Sequence, residues 1–278
     1  MSDHRIDLIG GEHAVLLIHG LTGSPFELKP IAKRLHKSGF TVKAPCLAGH
    51  GTTLEHLKAT RWQDWYGTVH ETFRELKRHH KTVSVAGLCM GAVLALYLAY
   101  DEEEEVSSIA TLSTTLFYDG WSLPWYRFLL PVAYYPPVKY FYSFKEREPY
   151  GIKNERMRKH IALALQENSI AYSSFPSRSM HEMFKLIRMT KGVIPKVKAP
   201  ALILHSLEDD VASVKNAHYV EKHIGSQRVR KVLLNDTYHM IPLDNQKERA
   251  AEEMIEFFKE NSAEPAIHIK RARAISAA

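Results

Sequence analysis

Short apolar runs alternate with longer amphipathic segments along most of this chain, and no other sequence feature constrains its fold as strongly. The short runs have the length of buried strands, and the longer segments repeat their apolar residues with the period of a helix. Such alternation is typical of β-α-β units, so we predict an α/β fold with a mostly parallel sheet flanked by helices. The predicted strands are Ala14–His19, Phe40–Ala44, Thr82–Gly87, Ser107–Leu112, Ala201–His205 and Arg228–Leu234. The predicted helices follow Ser24, span Trp62–Lys77, follow Cys89, and span Ser213–His223 and Asn245–Lys259.

The alternation stops between residues 113 and 200, a stretch that is too long for a simple connection and has helical patterns of its own. It predicts an inserted helical cap, in which repeated prolines exclude one long helix. The chain then divides into a core of residues 1–112 and 201–261, the cap, and a basic, flexible tail of residues 262–278. The aromatic residues of the cap either fill its own small core or line a pocket for an apolar chain. The pocket interpretation predicts that Trp121, Trp125 and Tyr126 contact substrate.

Composition and charge argue against several classes of function. Lys and Arg outnumber Asp and Glu by 37 to 31, but no basic stripe typical of nucleic-acid-binding proteins is present. With two cysteines, no signal-like start and no apolar stretch of membrane-spanning length, we expect a cytoplasmic protein with at most peripheral membrane contact. Histidines such as His79 and His80 lack convincing metal-ligand spacing, and no Gly-rich phosphate loop occurs. We therefore expect no metal and no other cofactor.

The segment from Val83 to Leu96 reads as a buried strand, a tight turn and a helix. Cys89 stands between Gly87 and Gly91 in this turn, in a G-x-C-x-G pattern that is typical of a nucleophile elbow. Small residues are needed on both sides because the strand and the helix pack closely at a sharp turn. A thiol at a helix N-terminus also gains thiolate character. Cys89 is therefore the predicted nucleophile of an acyl transfer, and the alternative is a buried cysteine in an ordinary turn.

A nucleophile of this kind requires a base, a residue that orients the base, and donors for an oxyanion. The predicted base is His239, in the loop after the last strand. The acidic candidates after the penultimate strand are Glu208, Asp209 and Asp210. We prefer Asp209 because Val211 then occupies the apolar position that usually follows two residues later. The predicted oxyanion donors are the backbone N–H groups of Leu21 and Met90.

These motifs resemble those of the α/β-hydrolase superfamily, most closely its bacterial carboxylesterase and monoacylglycerol-lipase branch. The matching segments are residues 19–23, residues 45–51, the Cys89 elbow, and the loops that contain Asp209 and His239. The resemblance implies the α/β-hydrolase fold and a Cys89–His239–Asp209 triad, with a structural role for the loop around His50. A cysteine at the elbow departs from the usual serine and resembles dienelactone hydrolases and polyhydroxyalkanoate synthases. A native cysteine and an engineered replacement of serine both fit the sequence.

The expected reaction is hydrolysis of a hydrophobic acyl ester or acyl thioester through a thioester acyl-enzyme. Amides are poorer candidates, because the tetrahedral intermediate expels a thiolate more readily than an amine. One alternative is an acyltransferase that moves the acyl group from a thioester donor, such as an acyl-carrier thioester, to an amine or alcohol. A second alternative is a non-catalytic ligand-binding protein on the same fold.

Overall fold

The computed structural model describes residues 5–123, 143–166 and 171–262, and a sheet of seven strands lies at the centre of this part of the chain. The strands in chain order are β1 (Ile6–Leu8), β2 (His13–Ile18), β3 (Thr41–Ala44), β4 (Thr82–Leu88), β5 (Ser108–Leu112), β6 (Ser143–Lys145), β7 (Ser174–Pro176), β8 (Ala201–Ser206) and β9 (Val229–Leu234). The central sheet has the order β1-β3-β2-β4-β5-β8-β9. Its neighbouring strands are parallel except β1, which pairs antiparallel with β3. The predicted α/β fold is therefore confirmed.

Helices cover both faces of the sheet. They are α1 (Lys29–Lys37), α2 (Leu54–Ala59), α3 (Trp62–His79), α4 (Met90–Asp101), α5 (Glu155–Gln166), α6 (Ser177–Val193), α7 (Lys215–His223) and α8 (Lys247–Glu260). Alternate residues of β2 belong to different apolar clusters: Leu16 packs in the cluster with α3, α4 and α6, and Leu17 packs in the cluster with α1 and α8. Burial on both faces explains why the central strands read as nearly continuous apolar runs.

Three short strands escaped sequence prediction. Strand β1 lies at the edge of the sheet, and β6 and β7 form a separate antiparallel pair within the stretch between β5 and β8. Each has three residues, which is too few to show a periodic pattern. The described part of the predicted helical cap therefore contains a small sheet as well as helices.

Helix α6 packs against α4 and α3 of the main core. Its residues Met183, Leu186 and Ile187 are buried in the same apolar cluster as the strands. We therefore propose that the insertion ends before Ser177, earlier than the boundary at residue 200 that the sequence suggested. In the described part of the chain, no helix is both long and apolar enough to cross a membrane.

Candidate active site

Cys89 lies in a strained turn between β4 and α4. Its φ of 56° and ψ of −113° fall in a region that residues with a side chain rarely adopt. A β-carbon on Gly87 would lie 2.0 Å from the carbonyl oxygen of Gly91, and one on Gly91 would lie 2.1 Å from that of Ile18. Both positions therefore require glycine for steric reasons. The turn presents Cys89, half-buried, at the carboxyl end of the sheet, and its N–H donates to the carbonyl oxygen of Leu112 at 3.0 Å.

The loops after β8 and β9 bring Asp209 and His239 together. The Nδ1 atom of His239 lies 2.9 Å from each carboxylate oxygen of Asp209. This contact assigns the proton of the neutral imidazole to Nδ1 and leaves Nε2 as the basic nitrogen. Burial alone would raise the pKa of Asp209. The imidazole of His239 and the backbone N–H of Ala212 stabilise the carboxylate more strongly, so the pKa of Asp209 is lowered. Of the three acidic candidates, Asp209 is the one whose carboxylate contacts the imidazole.

The two other acidic candidates have different partners. Glu208 forms an ion pair with Lys153 at 2.6 Å and accepts the N–H of Asp236 at 2.9 Å. Asp210 accepts the backbone N–H of His239 at 3.3 Å. Both residues therefore tie the loop after β8 to neighbouring segments.

The Cys89 sulfur interacts electrostatically with the imidazole of His239. Burial would lower the pKa of His239, but the charges of Asp209 and of the Cys89 sulfur raise it well above its usual range. Nε2 is buried, and a hydrogen-bond contribution from the Cys89 side chain adds to the increase in pKa. The sulfur also accepts a hydrogen bond from the Thr115 hydroxyl at 3.4 Å. The surroundings of His239 therefore favour its protonated form beside the Cys89 sulfur.

The loop after β2 passes beside Cys89. His19 fixes this loop, because its Nδ1–H donates to the carbonyl oxygen of Gly20 at 2.8 Å and its Nε2 accepts the N–H of Leu47 at 3.1 Å. A β-carbon on Gly20 would lie 3.6 Å from that of Cys89. Leu21 follows in this loop and is buried. The predicted oxyanion donor Leu21 is thus two residues from His19 in a segment that touches the elbow.

Met90, the second predicted oxyanion donor, is the first residue of α4. Its N–H has no acceptor within the helix because the first turn of any helix lacks such partners. The helix dipole also favours negative charge at this end. The role of both N–H groups at an oxyanion stays a prediction.

His50, for which the family resemblance implied a structural role, is buried beside His19. Its ring lies edge-on to that of His19, with centroids 4.9 Å apart, and its Nδ1 is 3.0 Å from the carbonyl oxygen of Ala48. Burial lowers the pKa of His50 to about 4, so the ring is neutral at physiological pH. It packs behind the loop after β2 and joins it to Trp65 of α3.

Trp121 lies at the rim of the site, and 60% of its surface is exposed. Its indole N–H donates to the carbonyl oxygen of Glu208 at 3.0 Å, and its ring lies edge-on to Tyr238 at 5.3 Å. Trp121 therefore links Glu208 and Tyr238, the residues directly before Asp209 and His239 in the chain. Its described contacts are therefore with the two loops, and its predicted contact with substrate stays a prediction. The other two aromatic candidates, Trp125 and Tyr126, lie outside the described residues.

Several residues of the site escaped sequence reasoning. The Ser113 hydroxyl donates to the carbonyl oxygen of His239 at 2.7 Å, and Asp244 accepts the N–H of Tyr238 at 2.8 Å. Ser113 and Thr115 belong to a polar run directly after β5, where a parallel sheet places its functional loops, and that position was a usable signal. Glu27 is buried beneath the loop after β2. Its signal was weaker: an acidic residue in an otherwise apolar turn. No cluster of three potential metal ligands occurs among the described residues.

Comparison with known proteins identifies the family. Residues 11–246 match the family model described as serine aminopeptidase, S33. The thermostable monoacylglycerol lipase of Bacillus sp. (strain H-257) is 30% identical over 260 residues, covering 91% of this chain and 92% of that protein. The carboxylesterase of Bacillus subtilis (strain 168) is 22% identical over 251 residues, covering 90% and 94%.

A solved structure reported for LipS and LipT, two metagenome-derived lipolytic enzymes, superimposes with a TM-score of 0.80 and 26% identity. The match covers 92% of this chain and 97% of that one. The sheet order, the elbow and the family match agree with one another. The chain is a member of the α/β-hydrolase superfamily and belongs to its serine aminopeptidase S33 family.

Proposed function

We propose that this enzyme hydrolyses hydrophobic carboxylic esters of the monoacylglycerol type, and that the acyl group passes through a thioester on Cys89. One observation carries the proposal: a cysteine in the strained elbow lies beside a buried imidazole whose Nδ1 contacts Asp209 at 2.9 Å. The relatives support the substrate class, because they include a monoacylglycerol lipase, a carboxylesterase and lipolytic enzymes.

Acylation begins when the thiol proton moves from Sγ of Cys89 to Nε2 of His239, while Asp209 holds Nδ1–H. The thiolate attacks the ester carbonyl carbon, and the N–H groups of Leu21 and Met90 stabilise the oxyanion that forms. Loss of one such donor typically costs about 3–4 kcal/mol of transition-state stabilisation. The intermediate collapses as the C–O bond breaks, and Nε2–H protonates the departing alcohol. The acyl group is now a thioester.

Deacylation repeats these steps with water. Nε2 of His239 takes a proton from a water molecule, and the resulting hydroxide attacks the thioester carbonyl carbon. The second tetrahedral intermediate breaks its C–S bond, and the sulfur leaves as a thiolate or takes the proton from Nε2. The carboxylic acid departs, and the free enzyme is restored.

Leaving-group chemistry decides which acyl bond is favoured. In an amide intermediate the sulfur leaves more readily than an unprotonated amine, so return to starting material competes strongly unless Nε2–H protonates the amine first. An alcohol that receives a proton from Nε2 competes better, and a thiol competes about evenly. We therefore propose esters, and acyl thioesters by the same chemistry, rather than the peptides that the family name mentions.

The test compares wild-type enzyme with Cys89→Ala and Cys89→Ser on p-nitrophenyl esters and on a monoacylglycerol. We expect Cys89→Ala to lose hydrolysis by about 10³-fold or more. Iodoacetamide should inactivate the wild type and leave any activity of Cys89→Ser untouched. Cys46→Ala serves as the matched control for the second, half-buried cysteine. Intact-protein mass spectrometry of an acid-quenched reaction should show one acyl adduct that hydroxylamine removes.

Three outcomes would contradict the proposal. Full activity of Cys89→Ala would exclude the thioester. Product that forms only when an amine or alcohol acceptor is added would indicate an acyltransferase. Binding of the ester without turnover or adduct would indicate a ligand-binding protein.

A further inference from the structure

A carboxyl group is buried under the loop that passes beside the candidate nucleophile. Glu27 belongs to a 3-10 turn, Pro25–Leu28, and only 7% of its surface is exposed. Its Oε1 accepts the backbone N–H of Gly20 at 2.6 Å. A β-carbon on Gly23 would lie 2.1 Å from its Oε2. The carboxyl group therefore fills the inside of the loop, and both glycines leave room for it.

The same carboxyl group is close to the site. A β-carbon on Gly20 would lie 3.3 Å from Oε1 of Glu27 and 3.6 Å from Cβ of Cys89. One glycine thus separates the two side chains. The hydrogen bond from the Gly20 N–H fixes the His19–Gly20 peptide, which is the one before the peptide that carries the Leu21 N–H. The carbonyl oxygen of that next peptide, Gly20–Leu21, accepts from Nδ1 of His19 at 2.8 Å, so Glu27 and His19 hold the two sides of Gly20. A rotation of the Gly20–Leu21 peptide would redirect the Leu21 N–H.

We propose that Glu27 is a positioning residue for the ester hydrolysis proposed above: it holds the Gly20–Leu21 segment so that the Leu21 N–H faces the oxyanion, and its negative charge stabilises protonated His239. The inference rests on the proposed function. Glu27 itself touches neither the acyl group nor the leaving group.

The charges around the imidazole agree with this role. Burial raises the pKa of Glu27 to about 7, and the N–H of Gly20 and the charge of His239 oppose the increase. The titratable groups that face His239 are Cys89, Asp209, Asp210, His205, Glu27 and Glu146. Glu146 is half-buried, and burial together with the charges of Glu27 and Asp210 raises its pKa to about 8.

Two substitutions separate positioning from charge. Glu27→Gln retains an oxygen for the Gly20 N–H and removes the charge. We expect kcat within about 10-fold of the wild type, and an alkaline limb of the pH profile about 0.5 unit or more lower, because loss of a nearby negative charge lowers the pKa of an imidazolium. Glu27→Leu removes both the acceptor and the charge. We expect kcat to fall about 10²-fold or more with little change in KM, as for a lost oxyanion donor.

Two further variants and one measurement complete the test. Gly23→Ala displaces the carboxyl group without changing it and should resemble Glu27→Leu. Glu55→Gln makes the same chemical change on an exposed ion pair of α2 and should match the wild type. The titration of His239 is followed directly by NMR in wild type and Glu27→Gln, also in a Glu146→Gln background. The NMR titration measures the pKa of His239 without any ester being hydrolysed.

The outcomes are distinct. Reduced kcat in Glu27→Leu, recovery in Glu27→Gln and a lower His239 pKa in Glu27→Gln would support the inference. Wild-type kcat in Glu27→Leu together with an unchanged His239 titration in Glu27→Gln would overturn it, while the proposed function would stand. A wild-type enzyme that cleaves no ester would overturn the proposed function, and the NMR titration would then decide the electrostatic role alone.

Discussion

Replacing Gly91 with alanine adds one methyl group where the start of α4 meets the end of β2. The new carbon would lie 2.1 Å from the Ile18 carbonyl oxygen and 2.8 Å from that of His19. Ordinary contact begins at 3.4 Å, so the helix and the strand must separate by more than about 1 Å. Gly67 lies within α3, where an added β-carbon would meet no atom within 4 Å. Gly67→Ala is therefore a matched control.

The magnitudes decide the sign of each change. Overpacking typically costs about 1–3 kcal/mol, and contact with hydrogen-bonded backbone places Gly91→Ala at the upper end of that range. The better helix propensity of alanine returns at most about 1 kcal/mol. We expect Gly91→Ala to lower the free energy of unfolding by about 2 kcal/mol and Tm by about 4–8 °C. Gly67→Ala should raise the free energy of unfolding by about 0.5–1 kcal/mol.

Calorimetry and ester hydrolysis measure both effects. Because a shift of about 1 Å near the reacting atoms can cost about 10²-fold in rate, Gly91→Ala should also lose at least that much kcat/KM below its Tm. Gly67→Ala should retain full activity. Equal Tm and equal activity in the two variants would refute the steric explanation of the elbow.

Three other changes test the site. Asp209→Asn should lower kcat about 10³–10⁴-fold with little loss of stability. The Val211 and Ala212 N–H groups would hold the amide oxygen, so the amide NH₂ would face the imidazole and force the wrong tautomer. A wild-type kcat in this variant would contradict the role of Asp209. The wild type should lose stability relative to Glu27→Gln as pH rises from 5 to 8, by up to about 3 kcal/mol in the free energy of urea unfolding. A buried carboxyl group with a raised pKa loses its stabilising contribution between pH 4.5 and about 7, and the glutamine does not titrate. A pH-independent difference would show that Glu27 is not perturbed. Trp121→Ala should lower kcat/KM about 10-fold and speed amide hydrogen exchange in the loops after β8 and β9, which the indole links. Leu163→Ala, at another exposed apolar residue, is the control. Equal exchange rates in the two variants would exclude the bridging role of Trp121.

Sequence reasoning recovered the elements that have long, regular patterns. All six predicted strands appear within two residues of their predicted bounds, because strands buried on both faces require continuous apolar runs. The glycines around Cys89 were also interpretable, since a sharp turn with close backbone contact tolerates no β-carbon. The three-residue strands and the position of α6 were not, because short segments and helix packing leave little trace in local periodicity.

The sequence by itself determined the order of strands and helices and the chemical types available at the carboxyl end of the sheet, because burial and turn geometry act on neighbouring residues. The sequence favoured Asp209 among three adjacent acids, but only the tertiary structure decided which carboxylate meets the imidazole. Glu208, Asp209 and Asp210 are adjacent in the chain, yet one faces His239 Nδ1, one a lysine and one a backbone N–H. Their directions depend on loops packed from distant segments. The same packing placed Glu27 beneath the glycine that adjoins Cys89, a contact that no local pattern specifies.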